Sequence, residues 1–240
     1  EGVDAAHKIT ILASIAFGIP INFDAVHIEG ISNLSQKDIT YAEELGYKIK
    51  LLGIAKSQNA DVEIRVHPTL VPKNRLVANV DGAMNAVLVH GNMVGPTLYY
   101  GAGAGAEPTA SAVVADVIDI ARQTKLSQNT LIPSLGFMPD KINEKNILSI
   151  ENIFSEYYLR FTMKNQAGLL AKITNIFADH DISINSMVHK EVQENNQNPD
   201  IFLITSKTKE ADIDTIISEI ELLPENTEKV VKIRTEELNK

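Results

Sequence analysis

The 240 residues include no cysteine and no tryptophan, which excludes a disulfide framework, a thiolate metal site and a cysteine nucleophile. A chain without cysteine suits a cytoplasmic location, and that is the expectation. Positive charge is in deficit, with 22 Lys and Arg against 31 Asp and Glu and a formal net charge of −9. No basic stripe appears, so a nucleic-acid partner, whose phosphates need neutralising, is not expected. No apolar run reaches the roughly 18 residues of a membrane span, and no signal-peptide pattern opens the chain. Glycine and proline, 13 and 9 in number, are too few for a collagen-like or low-complexity chain. Among the histidines, His27, His67, His90, His180 and His189 are scattered, and His7 has no second ligand on its own turn, so no metal site is expected. Neither G-x-S-x-G nor G-x-x-x-x-G-K-[ST] is present, which leaves hydrolase and nucleoside triphosphatase readings without support.

What is present is a 44% hydrophobic composition in a chain long enough for one large or two modest domains. Residues 1–18 read as a turn and a helix stopped by Gly18. Ile9, Leu12, Ala13 and Ala16 form an apolar face that Ile11 and Ile15 widen, so the helix should be well buried. Asp4 and Lys8 lie four apart, near one face of its first turns. Ser35 with Asp38 resembles a capping box for a helix running to Gly46. Strand-like runs follow from Tyr47 and Val62, joined by a turn at Asn59, Ala60 and Asp61. Pro68 and Pro72 place the end of the second run at an edge or strand end. LVANV, NAVLVHG and VGPTLYYG read as three short β pieces separated by the turn dipeptides Asp81-Gly82 and Gly91-Asn92. Helices followed by strands suggest a sheet with helices on one face.

The stretch GAGAGAEPTASAVVADVIDIAR, Gly101 to Arg122, runs three alternating glycines into a patterned helix. Pro108 suits its first helical position. Ala110, Val113, Val114, Val117, Ile118 and Ala121 give it an apolar face. Residues 126–155, with Pro133, Gly136 and Pro139, read as a linker able to pack on the first domain. From Tyr157 a regular pattern appears: strand, helix at Gly168 to Asp179, strand, polar loop ENNQNPD, strand, helix at Lys209 to Leu223, and strand. This βαββαβ order is that of a ferredoxin-like fold. The expected fold class is therefore α+β, a mixed-sheet domain followed by a ferredoxin-like domain.

Tyr157 to Thr235 resembles an ACT domain, a regulatory module that binds amino acids, through Asn165-Gln166-Ala167-Gly168 and LLAKITNIFADHDISINSMVHKE. The resemblance implies an amino-acid effector such as threonine at Asn165, Gly168, Asn185 and Ser186, where two copies pair. Ala167 stands where such domains often carry proline, and Gly168 and Asn185 also admit a plain turn and strand reading. Residues 1–122 resemble the catalytic region of homoserine dehydrogenase through Gly2-Val3-Asp4 with Lys8, HPTLVP with NVDGAMNAV, and GPTLYYGAGAGAEPTASAVVADV. That resemblance implies interconversion of homoserine and aspartate semialdehyde with NAD or NADP, in threonine, methionine and isoleucine biosynthesis. Lys8 becomes the acid/base group, Asp4 a substrate-binding residue, and Gly103 and Gly105 cofactor contacts. By spacing alone, Asp4 and Lys8 read as an ordinary helix-surface pair, and only the resemblance gives them a catalytic role.

The resemblance also implies domains at 1–125 and 156–236 joined by the linker 126–155, and a chain that lacks the family's N-terminal Rossmann domain. The helix at 107–124 would return to that domain, so Val113, Val117 and Ile118 should be unusually exposed or covered by a neighbour. A homo-oligomer is expected, because both the first sheet and the edge of the second offer pairing surfaces. A non-catalytic amino-acid sensor, working through the ACT segment alone, stays open as the alternative.

Overall fold

The computed structural model describes residues 1–58, 61–124, 133, 135–190 and 198–238. Parts of the expected turn at 59–61, of the linker at 126–155 and of the loop ENNQNPD lie outside these residues. Helix α1 (Val3–Phe17) starts after Gly2, whose φ is 88°, and stops at Gly18, whose φ is 62° and whose N–H donates to the Ser14 carbonyl. Both glycines occupy a left-handed conformation that β-carbons disfavour. The expectation of a helix buried through its large apolar residues is corrected. The buried residues are Ala6, Thr10, Ala13 and Ser14, while Ile11, Leu12 and Ile15 are exposed. Small side chains let α1 lie close on the sheet, and the Thr10 hydroxyl is satisfied by the Ala6 carbonyl at 2.7 Å.

Ser35 caps α2 (Gln36–Glu44) with the expected reciprocal capping box. Strands β2 (Tyr47–Gln58) and β3 (Asp61–Pro72) pair antiparallel over their full length, and the two-residue strand β1 (His27–Ile28) joins β3 in parallel. Pro68 lies inside β3, not at an edge or strand end. Parallel pairing on one side passes from β1, opposite Arg65 and Val66, to β10 (Val231–Thr235), opposite Thr69 and Leu70. The ring occupies that change of partner, so the missing N–H falls beside the break in the ladder. LVANV forms a 3-10 turn at Leu76–Asn79, not a strand.

The second half has the expected order: β6 (Phe154–Thr162), α4 (Leu169–Asp179), β7 (Ile184–Lys190), β8 (Asp200–Thr205), α5 (Glu210–Glu221) and β10, with a two-residue strand β9 (Thr208–Lys209) against β6. The two halves are not separate sheets. The parallel pairing of β10 with β3 makes one eight-stranded sheet, ordered β1-β3-β10-β6-β8-β7, with β2 on β3. Val62, Ile64 and Val66 of β3 form a core with Ala6 and Ala13 of α1. Leu70, Tyr158, Phe202 and Ile233 pack with Ala42 of α2. On the opposite face Tyr157, Leu159 and Phe161 join Ile173, Phe177, Ile213, Ile216 and Ile220 of α4 and α5. The ferredoxin-like sheet therefore carries α4 and α5 on one face and α2 of the first half on the other.

The segment after residue 135 packs on the first half. The Asn143 N–H donates to the Gly18 carbonyl, the Val62 N–H to Asn146 and the Leu148 N–H to Val62, and Ile147 packs against the α1 core. Strands β4 (Met84–Gly91) and β5 (Gly95–Ala102) form a hairpin that stands apart from the main sheet. Helix α3 (Ala106–Gln123) follows, with Pro108 third and not first in the helix, and it buries no residue.

Candidate functional site

The first turns of α1 carry Asp4 and Lys8, and the Lys8 Nζ donates to Asp4 Oδ2 at 2.5 Å. Their helical spacing puts them on one face. Both side chains remain open to solvent, 84% exposed for Asp4 and 61% for Lys8, so an incoming polar molecule can reach them. The backbone beneath the pair is fixed. At Gly2 a β-carbon would lie 3.1 Å from Ile28 Cγ2 and 3.3 Å from Val66 Cγ1, so the helix enters directly against β1 and β3.

Gly103 and Gly105 stand between β5 and α3. A β-carbon on Gly103 would overlap the Asn85 side chain, 2.1 Å from its Nδ2, and Gly105 has φ 123°. Gly105 needs glycine for its backbone conformation, whereas a β-carbon at Gly103 would require the exposed Asn85 side chain to swing aside. Lys8 with Asp4 sits on the main body, whereas the glycine loop leads from the hairpin into the exposed helix. Val113, Val114, Val117 and Ile118 are 56%, 55%, 60% and 44% exposed, the unpartnered apolar face expected for this helix.

Asn165 and Gly168 share a cavity of about 190 Å³ with Gln166, Leu169, Leu170, Ala171 and His189. Gly168 precedes α4 with φ 84°. Asn185 and Ser186 lie on β7 but do not line this cavity. The register between β7 and β8 slips after Ile184, so Asn185 occupies a bulge. Its amide donates to the Thr205 carbonyl at 3.1 Å and to Glu156 Oε1 at 3.4 Å. His189 has no counterpart among the expected residues. It projects from the far end of β7, and only the folded sheet brings it to the turn before α4.

Along the join of the two halves runs a buried ionic belt that the sequence reading did not anticipate. On β3 the polar side chains Glu63, Arg65, His67 and Thr69 alternate with the apolar residues facing α1, and all four are buried. Arg65 Nε donates to Glu63 at 3.0 Å and its Nη2 to Glu236 at 3.3 Å. Because arginine only donates, His67 Nε2 is the acceptor of the 2.5 Å contact from Arg65 Nη1, and Nδ1 carries the proton, donating to the Pro68 carbonyl at 2.9 Å. Burial, then the positive charges of Arg234 and Arg65, hold the imidazole well below its ordinary range and keep it neutral. Arg234 of β10 donates to Glu210 of α5 and, through Nη1 at 2.8 Å, to Glu29. Burial alone would raise the Glu29 carboxyl, but His27 at 3.8 Å and Arg234 outweigh it and lower it to about 2. The signal that could have exposed the belt is the polar alternation E-R-H-T inside an otherwise apolar strand. Among the described residues no cluster of three or more His, Asp or Glu could hold a metal ion, and no helix is long and apolar enough to cross a membrane.

Residues 1–118 match the homoserine dehydrogenase family and residues 157–225 the ACT domain family. A homoserine dehydrogenase of Pseudomonas aeruginosa is 49% identical over 239 residues, a span of 100% of this chain and 55% of the relative. One from Neisseria gonorrhoeae is 48% identical over the same shares. The crystal structure of a homoserine dehydrogenase from Thiobacillus denitrificans superposes with a TM-score of 0.92 at 53% identity, over 100% of this chain and 54% of that one. A homoserine dehydrogenase from S. aureus gives 0.68 at 30% identity, over 98% and 54%. The chain thus spans about half the length of the relatives it matches. With both matches in chain order and the fold shared throughout, the chain belongs to the homoserine dehydrogenase family, and its second half is an ACT domain.

Proposed function

We propose that this chain supplies the substrate side of an oxidoreductase that interconverts L-homoserine and L-aspartate 4-semialdehyde, within threonine, methionine and isoleucine biosynthesis in the cytoplasm. The observation that carries the reading is the Asp4–Lys8 pair, 2.5 Å apart and open to solvent on a helix seated against the sheet. The Lys8 ammonium faces the reacting oxygen. It stabilises the negative charge that develops there during reduction of the aldehyde and delivers a proton to it, and in the reverse direction the neutral amine takes that proton from the hydroxyl. Asp4 holds the substrate ammonium and keeps Lys8 oriented.

The family implies a nicotinamide cofactor, NAD or NADP, which when bound supplies or accepts hydride. Gly103 and Gly105 are the proposed cofactor contacts, in a loop where Gly105, with φ 123°, holds a backbone conformation that favours glycine. The proposed division is a catalytic region at 1–125, a linker at 126–155 and an ACT regulatory domain at 156–236. Helix α3 packs against the dinucleotide-binding part of the whole protein through Val113, Val117 and Ile118.

In the regulatory half, an amino acid such as threonine is the proposed effector. Asn165 and Gly168 bind it at the cavity before α4, and Asn185 and Ser186 contribute from β7 where a second copy pairs. The assembly is a homo-oligomer. No observation favours a sensor without catalysis over this reading. Reduction of aspartate semialdehyde by the full-length protein tests it, with loss of the rate in Lys8→Ala as the expected result. A well-folded full-length protein without that activity would sink the reading.

A further inference from the structure

Helix α1 crosses β2 at Gly53, and the contact there is tighter than a β-carbon ordinarily makes. A β-carbon on Gly53 would lie 3.1 Å from Ile9 Cβ, 3.5 Å from Ile9 Cγ1 and 3.5 Å from the Ala5 carbonyl oxygen. Ala5 and Ile9 are the residues immediately after Asp4 and Lys8. The helix therefore rests on the bare backbone of β2 directly beneath the turn that carries the ion pair. The rest of its footing is equally close-fitting, with Ala6 and Ala13 buried against Ile64 and Val66.

Gly53 gains nothing from glycine's conformational freedom. It lies within a regular antiparallel ladder opposite Val66, and its φ is not in the positive region occupied by Gly2 or Gly46. In such a strand a glycine weakens the sheet and marks close approach of another backbone. The approaching backbone here is that of α1. We propose that Gly53 is a positioning residue for the reaction: its missing side chain sets how deeply α1 sits on the sheet, and so where Asp4 and Lys8 stand relative to the substrate. This inference rests on the dehydrogenase reading of Lys8.

The physical argument is one of distance. A methyl group at Gly53 would lie 3.1 Å from the Ile9 β-carbon, which cannot swing aside as a side-chain end can, so α1 and β2 must part by a few tenths of an ångström. Packed interiors transmit such shifts rigidly, and proton transfer is sensitive to placement on that scale. The surface pair itself is untouched, so the defect appears in turnover, not in the affinity for the nicotinamide nucleotide.

The test uses the full-length protein that carries this chain, assayed for aspartate semialdehyde reduction with Gly53→Ala, Ile9→Ala and Lys8→Ala variants. Gly53→Ala is expected to lower kcat about tenfold or more while KM for the nucleotide stays within about twofold. Ile9→Ala keeps the β-carbon over Gly53 and removes the Cγ1 contact beside it, so it loosens the outer part of the same footing. Since Ile9 is only partly buried, this variant is expected to fold and keeps the idea testable should Gly53→Ala not fold, and it is expected to lower kcat by a smaller factor. A merely structural role would lower Tm and leave kcat of the folded enzyme unchanged. Lys8→Ala inactive, with the other two folded and at wild-type kcat, overturns the positioning role alone. Lys8→Ala fully active removes the dehydrogenase reading and the inference with it.

Discussion

Asp38 and Arg160 meet across 122 positions of sequence, with Arg160 Nε donating to Asp38 Oδ1 at 2.6 Å and Nη2 to Oδ2 at 3.2 Å. Asp38 is fully buried, and the same carboxylate closes the capping box of α2 by accepting from the Ser35 N–H and hydroxyl. One side chain thus starts a helix of the first half and clamps it to a strand of the ACT domain. Burial disfavours the anion, but hydrogen bonds from Arg160 and Ser35 outweigh it and lower the carboxyl from its usual value. The joint between the halves is structural before it is regulatory.

Removing one member of this pair leaves an uncompensated buried charge. Arg160→Met is expected to destabilise the chain by about 3–5 kcal/mol, and Asp38→Asn by a similar amount plus part of the roughly 1 kcal/mol of a helix cap. Chemical denaturation of both single variants and the double variant measures this. The double should cost less than the sum, and strict additivity would show that the two groups do not depend on each other.

Lys8→Ala and Asp4→Ala should behave in the opposite way. The pair is exposed and joins i to i+4, so each substitution changes stability by no more than about 0.5 kcal/mol. In the full-length protein Lys8→Ala is expected to lower kcat by about 10²–10⁴, the usual worth of a positioned acid/base group. Asp4→Ala should act chiefly on KM for homoserine. Parallel thermal melts and steady-state assays make the comparison.

His67 gives the fold a dependence on pH. Its imidazole titrates in the folded chain well below 6.5, the ordinary value that the unfolded chain recovers. Below 6.5 the unfolded state therefore binds a proton that the folded state refuses, and stability falls as pH falls. Unfolding free energy measured between about pH 7.5 and 5 should decline below 6.5. His67→Asn should flatten that decline while lowering stability at pH 7.5, where the neutral ring is hydrogen-bonded. A slope unaltered by the substitution would assign the effect to another group.

Glu29 acts at lower pH. With its carboxyl lowered to about 2 from an ordinary 4.5, its contribution is complete above 4.5 and is lost as pH falls towards 2. The side chain is 35% exposed, so after solvent screening the contribution is about 1–2 kcal/mol. Glu29→Gln should cost that amount at pH 7 and almost nothing at about pH 2, a convergence that acid-titrated denaturation curves would reveal.

The exposed face of α3 separates this chain from a longer protein. Val117→Asp should leave the melting temperature of the 240-residue chain unchanged within error, because Val117 is 60% exposed. In the full-length protein the same change should destabilise by about 1–3 kcal/mol, since a charge would then be buried without a partner. Equal effects in the two would show that the face is not covered.

Most local signals in the sequence were sound, although LVANV forms a 3-10 turn and not a strand, and Pro108 is third and not first in α3. The capping box at Ser35, the stop at Gly18, the hairpin of β4 and β5 and the βαββαβ order all rest on backbone chemistry within a few residues. The apolar face of α3 was legible for the same reason, and its exposure followed from the family resemblance. The remaining failures arise from tertiary packing. Pro68 looked like a strand end because a central strand does not tolerate proline, and it is tolerated because β3 changes its parallel partner there. Ile11, Leu12 and Ile15 looked like core residues, yet α1 rests on alanines and on Gly53, because a helix lying this close to a sheet has no room for large side chains. His189 reached the cavity before α4 only through strand pairing.

By itself the sequence determined most of the helices and strands, LVANV excepted, and it placed Asp4 beside Lys8, because a helical turn converts a spacing of four into contact. Tertiary structure alone decided that the two halves share one sheet, because the pairing of Arg234 with Thr69 joins residues 165 positions apart and leaves no periodic trace in either strand. It also decided that the E-R-H-T face of β3 is buried and ionic. Alternation predicts which residues face the same way, but not whether water or another chain segment will meet them.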